Sequence, residues 1–488
     1  MTGTAAPADA LLAGYGQPPL DEAVDPTGAV RAPYLPVLST LAELGPAGLA
    51  ARSARLQDAR AAAGIVFTAS IDGRLQEQVF PLDPVPRLIG ADTWKQLEAG
   101  AEQRARALNA FLADVYAAGP DAGRQPDIVA DGIIPGALIR QVPGFQPAAA
   151  GLVPGGSPRA TVYGLDLLTD QDGRWVVLED NLQVPSGLGY ALANRRSAVA
   201  AYPELHAAAG ALRSPEATGR LLHQALLDSA PPRCRSSVPQ VVVLSDGPAN
   251  SAWFEHRTLA EEMGVPVVHP DDLRRNGSRV AAMVDGRLVD IDVVYRRLGG
   301  DELLGDTAAG ALLREAATAG YLSIANAPGN GVADDKAVYA FVGPMIRYYL
   351  GEQPMLHDVG TWLLSDPGQY AAVRGRMGEL VVKPVDGSGG EGVMIGPTLT
   401  RAQVAELEQQ VALAPHRYIA QEVIRFSTHS TLVGGTLAPR HVDLRLFVLS
   451  GAQTVVVPTG LTRVALAADG LLVNSSQGGG SKDTWVVG

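Results

Sequence analysis

The segment VYGLDLLTDQDGRWVVLEDNLQVPSGLGYALAN, residues 162–194, constrains the fold more than any other stretch of the chain. It reads as two strand-like apolar runs joined by a polar turn, hence as adjacent antiparallel strands. Asp166 sits at the start of the first run, and Glu179 and Asn181 end the second. Asp, Glu and Asn at such points supply hard oxygen ligands, the kind that Mg²⁺ prefers. The set suits a nucleoside triphosphate site, yet no phosphate-binding loop precedes it in the chain. A plainer use also exists, since Asp166 or Asp172 could serve the hairpin turn itself.

With 488 residues and 47% hydrophobic content, the chain can bury two or three cores. A charged fraction of 18% and frequent apolar runs argue against overall disorder. The net charge of −12, without a dense basic stripe, argues against nucleic acid as a partner. The single cysteine, Cys234, excludes an internal disulfide framework and fits a reducing cytosol. Asp9, Asp21 and Glu22 mark an N-terminal region without the basic and apolar blocks of a signal peptide. No apolar run approaches the roughly 20 residues that span a bilayer. The expectation is a soluble cytoplasmic protein with no membrane partner; its oligomeric state is left open.

Residues 1–35, rich in Ala, Gly and Pro, read as a flexible N-terminal arm, and residues 36–158 as a mainly helical region. Within the latter, Leu97, Ala101, Ala105, Leu108 and Leu112 recur on one face of a helix over residues 94–116. Residues 159–237 carry the acidic hairpin. Near Pro239 a new unit begins: QVVVLSD as a buried strand, a helix through WFEHRTLAEEMG, a strand in VPVVHPDDL and another in VDIDVVYRR. This alternation over residues 238–332 predicts a small parallel-sheet α/β domain. No glycine fingerprint follows its first strand, so a dinucleotide site is weakly supported.

Residues 381–395, VVKPVDGSGGEGVMI, place Lys383 on a strand that runs into a turn with Gly387, Ser388, Gly389, Gly390 and Gly392. Glycines let backbone N–H groups approach a phosphate, and the lysine adds positive charge. The spacing departs from the P-loop pattern, and an ordinary hairpin has the same composition. Upstream, GVADDKAVYAF puts Lys336 at the head of a helix, and downstream RYIAQEVIRF reads as a strand. Gln421 and Glu422 at its exit could face an adenine edge. HVDLRLFVLSG and VVVPTGLTRVAL then give strands bearing Arg445 and Arg463.

Together these segments resemble the ATP-grasp superfamily, in the order of its circularly permuted bacterial members related to glutathionylspermidine synthetase. Conventional members run lysine, glycine-loop lysine, adenine hinge, then the metal strands; here Asp166, Glu179 and Asn181 come first. WFEHRTLAEEMG, DDKAVYAFVGPMIRYYLGE, STHSTLV, PRHVDLRLFV and SSQGGGSKDTWV are further family-like stretches, so the resemblance spans roughly residues 87–485. It implies a mixed α/β and α+β, multi-domain protein. The lid with its glycine loop would occupy residues 333–425 and the remainder of the core residues 426–488.

The resemblance implies ATP and Mg²⁺ as cofactors. Lys336 and Lys383 would neutralise phosphate, residues 387–392 would close over it, and Gln421 and Glu422 would bound the adenine. Asp166, Glu179 and Asn181 would hold metal. Arg445 and Arg463 would meet the transferring phosphoryl group or an oxyanion, with structural ion pairs as the alternative. The implied reaction is ligation of a carboxylate, peptidic or amino-acid-like, to an amine through an acyl phosphate; phosphotransfer and non-catalytic ATP binding are the alternatives. Where the family pattern has arginine after the metal-binding asparagine, this chain has Gln183. Gly299 and Gly300 replace acidic residues, and Ser430 and Leu446 replace prolines. These departures predict an intact nucleotide half beside a diverged substrate half. Arg296 and Arg297 are candidates for a substrate carboxylate or for solvated surface groups, while His429 and His441 carry no assigned role.

Overall fold

The acidic hairpin forms as its sequence requires: Val162–Thr169 and Trp175–Asn181 pair antiparallel, with Asp166 opposite Glu179 and Gly164 opposite Asn181. The computed structural model to which these strands belong describes residues 11–16, 18–71, 74–117, 124–299, 303–305, 307–385, 392–467, 470, 473 and 479–488. Val162–Thr169 is buried along nearly its whole length, as expected of a strand covered on both faces. Its other neighbour is Thr436–Ser450, and the sheet continues through Thr454–Val464 and Gly480–Val487 to Leu82–Gly90 at the edge. At the opposite edge His357–Asp358 joins Trp175–Asn181 in parallel, and Thr428–Val433 pairs separately with Thr436–Ser450.

Alternation along Thr436–Ser450 divides two cores. Leu444, Leu446 and Val448 enter one cluster, whereas Phe447 and Leu449 enter another on the opposite face. The first is shared with helix Ala91–Val115, whose expected stripe (Leu97, Ala101, Ala105, Leu108 and Leu112) is at most 1% exposed. The second is shared with helices Leu188–Ala201, Thr218–Asp228 and Trp253–Met263.

Ser323–Ala325, Val293–Arg296, Val241–Leu244 and Val267–Val268 form a four-stranded parallel sheet in that spatial order. An antiparallel sheet of Leu273–Asn276, Arg279–Val284 and Arg287–Ile291 is inserted within it. A further antiparallel sheet, Thr361–Leu363, Tyr418–Glu422, Leu380–Pro384 and Met394–Ile395, carries helices Pro367–Val373 and Arg401–Leu413. It has its own cluster, including Val373, Leu380, Val382, Leu407 and Ala420. Thr400 and Gln403 form a capping box that starts the second helix.

One expectation changes and another gains strands. Residues 18–34 are no loose arm: Val24 and Tyr34 are buried, and the Glu22 carboxylate accepts two hydrogen bonds from buried Arg87 at 2.6 and 2.7 Å. Residues 36–158, expected to be mainly helical, also carry the strands Val66–Ile71, Arg74–Val79 and Leu82–Gly90.

Leu108, fully buried between helix and sheet, reports on this packing. Leu108→Ala should cost about 2–5 kcal/mol, because the fixed sheet cannot collapse into the vacated space. A fall in the denaturation midpoint followed by circular dichroism checks this.

Candidate active site

A cleft opens between the central sheet and the separate antiparallel sheet. Asp166, Glu179, Lys336, Lys383, Gln421, Glu422 and Arg463 all line it. Asn181 and Arg445 do not. Asn181 stands opposite Gly164, with its side-chain nitrogen 3.5 Å from that carbonyl. Gly387, Ser388, Gly389 and Gly390 lie outside the described residues; Gly392, in the left-handed region at φ 69°, follows them.

Apolar side chains in its lining include Leu168, Leu178, Val381, Ile395, Ile424 and Phe426. Gln421 is less available than its sequence position suggests. Its backbone stands in register between Thr361 and Val381, and its amide donates to Thr361 Oγ1 at 2.9 Å. Val423 and Ile424, which follow the end of the strand and also line the cleft, were not singled out by sequence. The end of the ladder after Glu422 is the signal that could have found them.

The lining is also ionic. Register places Arg445 beside Asp166 and Arg463 beside Asp443 across neighbouring strands. Arg445 donates to both Asp166 oxygens at 2.6 and 2.7 Å, and Arg463 adds a third bond at 2.8 Å. Arg463 also grips Asp443, at 2.6 Å at its closest. The ion-pair alternative for the two arginines is therefore what the structure contains. Burial would raise the Asp166 carboxyl, but the guanidiniums outweigh it and hold it down at about 2.

Glu179 differs. It is half-buried, lines the cleft and makes no side-chain hydrogen bond or ion pair among the described residues. Its neighbour Asp180 is held by Arg104 at 2.6 and 2.7 Å, and Arg104 also reaches Asp358 at 2.7 Å. Across the cleft, desolvation pulls the Lys383 ammonium down to about 8; Glu179 opposes this and Lys336 assists it. Asp334 lines the same cleft and was also missed by sequence. Burial raises its carboxyl to about 7, against hydrogen bonds from the Leu182 and Gln183 N–H groups and with help from Glu179 and Asp180.

Among the described residues no three His, Cys, Asp or Glu side chains gather as a ready metal cage. Mg²⁺ does not need one, because it commonly takes one or two carboxylates with phosphate and water oxygens. Glu179 fits that use, whereas Asp166 already has its charge offset by two guanidiniums.

Arg296 and Arg297 do not face solvent, and neither lines the cleft. Both are buried, bonding the Gln183 and Pro185 carbonyls respectively, and Arg297 also pairs with Glu255 at 2.8 Å. His429 is buried too, its Nε2 lying 2.9 Å from the Tyr34 hydroxyl. His441 is packed 4.4 Å from the Phe426 ring centre.

Residues 86–465 match the family described as circularly permuted ATP-grasp type 2. A Frankia alni protein provisionally designated glutamate–cysteine ligase 2-3 is 46% identical over 98% of this chain, which spans only 54% of that protein's length. A Synechocystis protein of uncharacterised function is 40% identical, with 96% of each chain covered. A solved glutathione synthetase-like effector of Globodera pallida superposes with a TM-score of 0.58 at 13% identity, covering 91% of this chain and 98% of its own. That last likeness concerns the fold.

Asp334 gives a pH test. Its carboxyl, raised on folding, favours the folded state at low pH, and that contribution is lost as pH climbs from about 4 to about 7. Asp334→Asn loses an acceptor at every pH but lacks this titration. Its deficit in melting temperature should therefore shrink between pH 5 and pH 8, as calorimetry would measure.

Proposed function

The chain belongs to the circularly permuted ATP-grasp family, and from that premise we propose an ATP- and Mg²⁺-dependent carboxylate–amine ligase. The carrying observation is that Lys336 and Lys383 line one cleft together with Glu179, which makes no side-chain hydrogen bond or ion pair among the described residues. The Frankia designation agrees with a ligase. It belongs to a protein with nearly half its length outside the match, so its named substrates are not carried over.

In this reading the adenine lies against Leu168, Leu178, Ile395 and Phe426, with Gln421 and Glu422 bounding it and the Val423 backbone meeting its edge. Lys336 and Lys383 offset phosphate charge, and residues 387–392 cover the phosphates. Glu179 would hold Mg²⁺, with Asp166 and Asn181 the other ligands the resemblance implies, and the ion would supply neutralisation of phosphate charge during transfer. Arg445 and Arg463 hold Asp166 in place in the cleft wall.

A carboxylate oxygen of a peptide or amino-acid-like substrate attacks the γ-phosphorus, and the bond to ADP breaks. The amine nitrogen then attacks the acyl carbon, expelling phosphate and losing a proton as the amide forms. The protein's part is positioning and charge compensation. The Gln183 amide packs against the Gly331 main chain, which supports the idea that carboxylate recognition differs here from the family pattern.

Glu179→Ala should abolish Mg²⁺-dependent ATP turnover while leaving the fold intact, since Glu179 supports no other side chain. Undiminished turnover would remove the metal assignment. Product analysis by mass spectrometry should find free phosphate with an amide; a stable phosphorylated product would instead identify a phosphotransferase.

A second test uses Lys383. Above about pH 8 the free protein holds it neutral, so binding a triphosphate requires proton uptake. Affinity for a non-hydrolysable ATP analogue should fall as pH rises through 8, and Lys383→Arg should flatten that profile. A pH-independent dissociation constant in the parent protein would contradict the role.

A further inference from the structure

A second concavity, of about 630 Å³, lies between helices Gly45–Ala62, Leu188–Ala201 and Trp253–Met263. It shares no lining residue with the active-site cleft. Its size falls within the about 300–1,000 Å³ typical of small-molecule sites. It exists because small residues face one another: Ala59 and Ala63 on one side, Ala193 and Ala200 on the other. Leu56, Ile65 and Phe254 add apolar surface.

The charge of the groove is distinctive. Arg52, Arg55 and Arg60 recur at helical spacing on its wall, and Arg196 faces them from the second helix. Arg52 pairs with Glu204 and Arg196 with Glu262, whereas Arg55 has no carboxylate partner among the described residues. Glu261 is the acidic residue in the lining. Arg60 is 1% exposed and, among the described residues, bonded only to neutral acceptors: the Phe80 carbonyl at 2.9 Å, Asn194 Oδ1 at 2.9 Å and Ser197 Oγ at 3.1 Å. Beside it, the buried Asn194 amide nitrogen has no acceptor. A buried cation without a counter-ion is costly, and an anion entering the groove would relieve that cost.

We infer that this groove binds a small amphipathic anion, with one carboxylate or phosphate head on an apolar body. The head is drawn by Arg55 at the mouth and Arg60 at the floor, while the body covers the alanines and Phe254. This site is independent of the ligase reading.

The test is calorimetric titration of the full chain with octanoate and with octyl phosphate, below their aggregation thresholds. One-to-one saturable binding is expected for at least one, with octanol and acetate weaker by about tenfold or more. The tighter of the two amphiphiles identifies the head. Arg55→Glu should weaken binding by about tenfold and Ala59→Trp should abolish it, with ATP-analogue affinity unchanged. Both positions are exposed on their helix, so the variants keep the fold. Absence of saturable binding by either amphiphile, or binding retained in both variants, overturns the inference.

Discussion

Arg104 holds the molecule together at the point where its parts meet. From helix Ala91–Val115 it clamps Asp180 on the acidic hairpin and Asp358 at the entry to the outer antiparallel sheet. Three distant stretches of chain are fixed by one guanidinium. Since successive strand residues face opposite sides, anchoring Asp180 also sets where Glu179 points. A buried pair of this kind need not add net stability, but removing one partner leaves a charge stranded, at about 3–5 kcal/mol. The ionic contact is thus better understood as fixing geometry than as supplying stability.

The cleft divides its charge between two supports. The rigid side presents Glu179 from a sheet packed on both faces. Lys383 comes from an antiparallel sheet that buries its apolar residues largely against its own helices. Permutation separates these groups by 204 positions in the chain, yet the fold brings both to one cleft. What matters to the chemistry is which strand lies beside which, not the order in which they are made.

The helix over residues 91–115, the acidic hairpin and the parallel strands of the small domain were legible because each is a local periodic pattern. The strand Leu82–Gly90 was not, since Pro84 and Pro86 argue against one. It is tolerated because it lies at the sheet edge, where a missing donor leaves no ladder bond unmade. Packing of residues 18–34 was hidden for a different reason: the Glu22–Arg87 pair joins residues 65 positions apart, and composition carries no trace of it. Within the site, residue types pointed to the right neighbourhood. They could not tell whether Arg445 and Arg463 would face a ligand or Asp166, which depends on cross-strand register. Asp334 escaped notice because its environment, not its local sequence, sets it apart.

The lattice of Asp166, Asp443, Arg445 and Arg463 bears on how such a protein can vary over time. Its members sit on three neighbouring strands and balance two negative charges with two positive ones. Replacing any one alone leaves an unmatched charge in the interior, so a lineage cannot easily exchange them singly.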